Sequence, residues 1–386
     1  MNHAGIETRT GDEVVRSQDP APVILVPEEP MSGHRLKAIG ALAVRIARLR
    51  GSEFIDTTAR TALPSRFYAV PTATLVGSVC TLRLGIETEE DLFGGLVSHA
   101  VQAGKAITHP LVNSEGARPE GWSTAFTESV HAVVLNGYSA FDIPSARKAG
   151  EILLASGPIR LKAAWADGGH SQSIVPEPAA LDGALAAFDT AQLSSLGLVL
   201  EQNLNGGKCF SVGRARIGSQ VLSYVGQQFT TRDNAGDLAY GGSTLTLVPG
   251  EFAELRRLDL DVTGRQAVEA ALTYDAAATR HFPGLIASRR NYDVMAGRDA
   301  QGVLRIGVLE QSWRIGGASG AEVAAFEAFA AAPTLAMVRA SCVESYGMSR
   351  DVPVDAFVYF EGDDADVGPL VKFARIETRS ENSRAF

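Results

Sequence analysis

Two carboxylates and an arginine, Asp293, Glu310 and Arg314, are the side chains whose types and spacing most directly imply chemistry. They lie in residues 291–322, NYDVMAGRDAQGVLRIGVLEQSWRIGGASGAE, which read as strand, tight turn, strand, glycine-rich bend and helix start. Residues 299–302 (DAQG) have the composition of a hairpin turn. A turn there pairs Asp293 with Val308 and leaves Glu310, two residues on, on the same face of the sheet. Carboxylates that share a surface repel unless a cation lies between them, and hard oxygen ligands of this kind suit Mg²⁺. Past Arg314, Ser319 and Glu322 have capping-box spacing, and the helix they open offers free backbone N–H groups to an anion. Metal, arginine and helix N-terminus together describe a place where phosphate is handled. An ordinary hairpin carrying surface acids has the same sequence.

A second set precedes the first along the chain. Lys162 lies in a strand, 159–164, that runs into the loop residues Gly168, Gly169, His170 and Ser171. Loop N–H groups and a serine hydroxyl can approach phosphate oxygens while the ammonium neutralises their charge. Arg147 and Lys148 stand in the first turn of a helix, 146–155, where cations are mildly unfavourable. A bound anion would relieve that misplacement; two solvated side chains fit equally well. A strand at 198–200 ends in Glu201, Gln202, Asn203 and Leu204, followed by a second glycine pair and Lys208. Arg289 and Arg290 read as a solvated pair on a strand edge, with Arg290 also in reach of a phosphate.

The elements that must position these residues follow from periodicity and capping. A strand at 23–26, a helix at 31–50 with Leu36, Ile39, Leu42, Ala43, Ile46 and Leu49 on one stripe, strands at 67–70 and 73–76 and a helix at 88–102 give an α/β lobe with a mainly parallel sheet. A strand at 131–135 and the helix 146–155, capped by Ser145, come next. A helix at 179–193 precedes strands at 209–216 and 221–225. Thr263 and Gln266 form a capping box for a long helix towards Phe282. Helices at 321–331 and 334–346 and a strand at 356–360 complete the expectation. His99, His109, His131 and His281 lack partners at metal spacing and read as core or surface histidines.

Composition narrows the class. The chain has 386 residues, enough for two or three lobes, and no internal repeat of 20–50 residues. Its formal charge of −9, with no Lys/Arg run longer than two, supplies no footprint for nucleic acid. Three distant cysteines indicate neither a disulfide framework nor a zinc site. A polar N-terminus and the lack of an apolar run near ~18 residues imply no membrane partner and a cytoplasmic protein. Neither the Walker nor the dinucleotide glycine pattern is present.

A lysine-bearing strand before a Gly-Gly-x-Ser loop, a strand ending in Glu-x-x-Leu, and an Asp strand paired with a Glu-x-x-x-Arg strand occur here in one order. That order resembles the ATP-grasp superfamily, and more narrowly a group of uncharacterised bacterial proteins within it. The resemblance covers roughly residues 142–332. It implies an α/β and α+β protein: a flexible segment 1–21, a pre-ATP-grasp α/β domain 22–140, and a first ATP-grasp part with the lid at 141–245. The antiparallel-sheet subdomain with the metal site then spans 246–378, and 379–386 form a tail. Arg147 or Lys148 would be the first cationic phosphate ligand, Lys162 the lid-strand lysine on the α- and β-phosphates, and Gly168, Gly169, His170 and Ser171 the lid loop. Glu201 would be the hinge glutamate, with the backbone of Gln202, Asn203 and Leu204 on the adenine edge. Asp293 and Glu310 would hold Mg²⁺, and Arg314 would stabilise the reacting phosphoryl and carboxylate charge.

Two departures stand out. Ser312 replaces the asparagine of the family's Glu-x-Asn metal strand, and Lys208 stands where an acid often holds the ribose hydroxyls. The implied activity is an ATP- and Mg²⁺-dependent ligase that activates a small-molecule carboxylate as an acyl phosphate for an amine or thiol, in a chain that can pair as a homodimer. A small-molecule kinase, a biotin-carboxylase-like enzyme and a non-catalytic nucleotide binder are the alternatives.

Overall fold

The computed structural model describes residues 20–27, 33–56, 63–77, 83–164, 172–347 and 351–382. The N-terminal lead-in, the lid loop with Gly168, Gly169, His170 and Ser171, and Trp165 lie outside these residues. The first lobe starts with β1 (Val23–Val26), a run of β-branched and leucine residues, followed by α1 (Gly33–Leu49). The helix buries Ala38, Ile39, Leu42, Ala43, Ile46 and Ala47 along one stripe, as its 3.6-residue period requires. β1 lies between β2 (Phe54–Ile55) and β3 (Tyr68–Pro71), and all three are parallel. β4 (Leu75–Val76) and β5 (Gly95–Val97) begin a second small sheet.

The next unit is an antiparallel sheet with helices packed against it. β6 (Gly137–Ala140), α2 (Ile143–Leu154), β7 (Ile159–Ala163), β8 (Gln172–Val175) and β9 (Leu198–Gln202) follow in sequence, and the strands lie in the order β6-β9-β7-β8. Ala146, Ala149 and Leu153 of α2 pack on Ile159, Leu161, Leu198 and Leu200.

The third unit is an eight-stranded antiparallel sheet. Its elements are β10 (Asn205–Ile217), β11 (Gln220–Arg232), β12 (Leu238–Pro249), α3 (Val262–His281), β13 (Ile286–Ala287), β14 (Arg289–Arg298) and β15 (Leu304–Ser312). They are followed by α4 (Ser319–Ala331), β16 (Met337–Tyr346), β17 (Phe357–Asp364) and β18 (Gly368–Ser380). The strand order is β15-β14-β10-β11-β12-β16-β18-β17, while β13 pairs with β5 and so ties the first lobe to this unit. Ala267, Ala271, Tyr274 and Ala278 of α3 cover one face, against Val212, Tyr292, Val294 and Val308. The other face buries Tyr224, Leu245, Val338 and Ala340 under Phe326 and Phe329 of α4, with Leu42 and Ile46 of α1 behind them.

Several expected elements differ, each for a local reason. Residues 88–102 are not one helix. Asp91 folds back to accept the N–H groups of Glu87 and Thr88 at 3.0 and 2.8 Å, and that side-chain turn competes with helix. Gly94 at φ +155 and Gly95 then pass so close to Trp313 that a Cβ on Gly95 would lie 2.6 Å from its carbonyl oxygen. Residues 131–133 form a tight helical turn rather than a strand, and β6 begins later, at Gly137. Asp142 rather than Ser145 caps α2, accepting the Ser145 N–H at 2.6 Å, and Asp261 rather than Thr263 caps α3. The helix expected at 179–193 is broken into the short helices Leu181–Leu185 and Thr190–Leu196. Residues 337–346 are a central strand, not a helix, because pairing with β12 and β18 on both sides outweighs the propensity of Ala and Met.

Candidate active site

The hairpin of β14 and β15 closes through DAQG as its composition demands. Gly302, at φ +78, donates its N–H to Asp299 O at 3.0 Å, and Asp299 Oδ1 accepts from the N–H groups of Gln301 and Val303. The register differs from simple counting. Val294 faces Val308 but Asp293 faces Glu310, because the ladder slips between Asp293 and Val294 and leaves Leu309 as an extra residue. Without this bulge Asp293 would oppose Leu309 and Glu310 would turn to the other face; with it the two carboxylates are direct cross-strand neighbours. Asp293 Oδ1 accepts from Gln228 Nε2 and Asn291 Nδ2, both at 2.8 Å. Burial and the adjacent Glu310 charge push the Asp293 carboxyl up to about 6. Glu310 Oε2 is 2.7 Å from the ammonium of Lys105, a buried lysine in the tight turn Lys105–Ile107.

A second charged group lies where the four-stranded sheet β6-β9-β7-β8 meets this hairpin. The Lys162 ammonium on β7 pairs with Glu201 Oε1 on β9, and His109 Nε2 lies 3.3 Å from the other carboxylate oxygen. All three side chains are buried. Burial alone would raise the Glu201 carboxyl, yet the Lys162 ammonium and the His109 ring bring it down to about 2. The two groups are close in space. The half-buried Cys209 thiol on β10 is pushed up by desolvation and by the charges of Asp293 and Glu310, while Lys162 pulls it the other way. One five-residue segment joins them, since Lys105 reaches Glu310 and His109 reaches Glu201.

Arg314 lies just past β15, half-buried, with Nη1 donating to Ile315 O at 3.1 Å. Its backbone is fixed from β14. Arg289 Nη1 donates to the carbonyls of Ser312 and Arg314 at 3.1 and 2.6 Å, while Nε and Nη2 grip the fully buried Glu322. Glu322 is therefore a partner of Arg289 and Tyr224, not half of a capping box, and Ser319 Oγ accepts instead from the Gly316 N–H at 3.0 Å. Arg289 and Arg290 are not a solvated pair. Arg290 turns to the opposite face, where it pairs with Glu89 at 2.6 Å and Asp275 at 3.3 Å. Ser312 faces Asn291 across the ladder.

Arg147 and Lys148 are not brought to this site. Both are exposed on the outer side of α2, away from the sheet that Ala146 and Ala149 contact, and Arg147 pairs with Asp182 at 2.9 Å. In the hinge, the N–H groups of Gln202 and Asn203 donate to Asn136 O and Pro158 O, each at 2.9 Å, so of the three expected there only that of Leu204 stands outside these pairings. Lys208 is exposed at the start of β10. A cleft of about 580 Å³ is lined by Asn136, Pro158, Gln202, Asn203 and Ile306 and touches neither Asp293 nor Glu310. Lys105 escaped sequence reasoning, and His109, read there as a core or surface histidine, is a buried one with Glu201 as its partner. The one available signal was a lysine inside the apolar segment GKAI, since a buried ammonium requires a carboxylate.

The donor set fits Mg²⁺. Among the described residues no three His, Cys, Asp or Glu side chains converge on a metal site. Two adjacent carboxylates, a hydroxyl and an amide remain, and Mg²⁺ is commonly held by one or two carboxylates together with substrate phosphates.

The four-stranded and eight-stranded antiparallel sheets, met in that order along the chain, make up the ATP-grasp fold. The chain superposes on phosphoribosylamine–glycine ligase from Thermotoga maritima with a TM-score of 0.52 and 15% identity, over 93% of this chain and 98% of that one. The biotin carboxylase domain of Hydrogenobacter thermophilus 2-oxoglutarate carboxylase, solved with MgADP, ADP and bicarbonate, matches with a TM-score of 0.51 and 13% identity, over 93% and 87% of the two chains. N5-carboxyaminoimidazole synthase from Aspergillus clavatus, in complex with ADP and 5-aminoimidazole ribonucleotide, matches with a TM-score of 0.50 and 12% identity, over 94% and 95%. At these identities the likeness establishes the fold alone. By sequence the chain belongs to the family described as "Protein of unknown function (DUF3182)", whose model matches residues 24–374. No curated protein matches it in sequence. Among the described residues no helix is long and apolar enough to cross a membrane.

Proposed function

We propose that this protein is an ATP- and Mg²⁺-dependent ligase that activates a small-molecule carboxylate. The observation that carries this reading is the pairing of Asp293 with Glu310 close to two buried lysines, Lys105 and Lys162. Phosphoryl transfer asks little covalent chemistry of a protein; positioning and charge neutralisation carry it. Asp293 and Glu310 would hold Mg²⁺, with Ser312 as a weaker hydroxyl ligand. The bound ion supplies Lewis-acid neutralisation of phosphate charge. Lys162 is held by Glu201 at the lid sheet and would face the α- and β-phosphates, with the hinge from Gln202 to Leu204 at the adenine edge. Lys105, on Glu310, would take the place expected of Arg147 or Lys148 as the first cationic phosphate ligand.

A substrate carboxylate oxygen then bonds to the γ-phosphorus as the bond to the β–γ bridging oxygen breaks, giving an acyl phosphate and ADP. Arg314 would neutralise the charge that develops on the transferring group, a contribution typically worth ~10²–10³ in rate. An amine or thiol next attacks the acyl carbon and inorganic phosphate leaves. The assay is Mg²⁺-dependent release of ADP and phosphate from ATP across a panel of carboxylates and amines. Turnover that survives both Lys162→Ala and Glu310→Gln would remove this assignment.

A further inference from the structure

A hydroxyl has one proton to give, and Tyr224 lies beside two acceptors. Its Oη is 2.6 Å from Glu322 Oε1 and 3.0 Å from Asn291 Oδ1. Glu322 has the stronger claim. It is fully buried, it is ion-paired with Arg289 at 2.8 Å, and its contact with Tyr224 is the shorter. With the proton given to Glu322, Tyr224 presents only lone pairs to Asn291, and a carbonyl oxygen facing lone pairs has no donor. Turning the Asn291 amide half-way about its Cβ–Cγ bond removes this conflict without changing the volume it fills, because Nδ2 then donates to Tyr224. The cost moves to the other side. The Asn291 carbonyl oxygen would then face Asp293 Oδ1 across the 2.8 Å now spanned by an N–H bond, two acceptors with nothing between them. A cation at the carboxylates removes that repulsion. The Asn291 carbonyl oxygen therefore faces another acceptor whichever way the amide is turned, unless a cation lies at the carboxylates.

We propose that Asn291 is a ligand of the cation held by Asp293 and Glu310. Its amide turns as the ion binds and supplies a carbonyl oxygen, and Tyr224, anchored by Glu322 and Arg289, takes the Nδ2 hydrogen bond. Asn291 faces Ser312 directly across the ladder. The amide oxygen thus comes from β14 at the level where β15 offers a hydroxyl, one already in contact with Arg289 Nη1 at 3.3 Å. This inference rests on the reading of Asp293 and Glu310 as the metal site.

The test is the factor by which Mn²⁺ tightens ADP binding, measured by titration calorimetry on the full chain with and without the ion. Asn291→Ala is expected to cut that factor about 10- to 100-fold, the range for lost metal-site contacts, and to leave metal-free ADP binding unchanged. Adding Ser312→Asn to Asn291→Ala returns an amide oxygen from the opposite strand and should recover most of the loss. Tyr224→Phe removes only the hydroxyl and should cut the factor by at least about threefold, less than Asn291→Ala. An Asn291→Ala protein whose factor stays within twofold of the parent overturns the proposal. Should that variant not fold, Tyr224→Phe decides by the same ratio. Failure of the underlying reading looks different: Asp293→Asn and Glu310→Gln would then also leave the factor intact, or Mn²⁺ would not tighten ADP binding to the parent protein at all.

Discussion

Replacing Glu201 with glutamine keeps its shape, removes one charge, and leaves the Lys162 ammonium buried without a counterion. Glu201 is 2% exposed and Lys162 4% exposed, so solvent screens their pairing very little. A carboxyl held at about 2 instead of its ordinary 4.5 contributes about 3 kcal/mol of stability at neutral pH. Breaking a buried pair by neutralising one partner typically costs ~3–5 kcal/mol, in the same range. Glu201→Gln should therefore unfold on the order of 5 °C lower at pH 7. The sign with pH follows from the depressed carboxyl. Its contribution is full above about 4.5 and is lost as pH falls through about 2. The parent protein should lose stability over that acid range, and the variant should lack that part of the slope. Thermal and urea unfolding between pH 2.5 and 7.5 measure both effects. Lys162→Met combined with Glu201→Gln removes both charges and should recover most of the stability, while ATP turnover should be lost with the Lys162 ammonium. A glutamine variant as stable as the parent at pH 7 would refute the argument, since Lys162 would then have another counterion or lie in water.

Asp293 runs the other way. Its carboxyl is raised by burial and by Glu310, so the metal-free protein should lose stability as pH rises from about 4 to about 6. Asp293→Asn should gain roughly 1–2 kcal/mol at pH 7.5 without metal while losing Mg²⁺-dependent ATP turnover, which denaturation and phosphate release measure together. Lys105→Met should raise KM for ATP about tenfold or more, the scale of one lost charge-assisted contact; an unchanged KM would separate Lys105 from the phosphates. Arg147→Ala and Lys148→Ala, both solvent-exposed, should leave steady-state ATP turnover within about twofold. Glu322→Gln, which strands the buried Arg289, should lower stability by ~3–5 kcal/mol in urea titration.

The hairpin turn itself was legible, because DAQG sets a tight turn whatever surrounds it. That Asp293 and Glu310 share a surface follows from counting back from that turn, yet in the folded ladder it depends on the bulge at Leu309, which no local period writes. The VILV strand and the apolar stripe of α1 were legible too, since each follows from a period of neighbouring residues. The order of the lysine strand, hinge glutamate and acid hairpin carried the fold class, because the chain passes through the two sheets in that sequence.

What the tertiary structure alone decided is where charges find partners. Lys105 and His109 belong to an unremarkable turn and gain meaning only from Glu310 and Glu201, which follow 205 and 92 residues later. Glu322 has capping-box spacing, yet a buried guanidinium thirty-three positions back takes its carboxylate. Residues 337–346 have the composition of a helix and are a strand, because two neighbouring strands supply hydrogen bonds that local propensity cannot weigh. Periods and turns act over a few residues and are written in the chain; ion pairs and strand neighbours act through space, and only the folded arrangement assigns them.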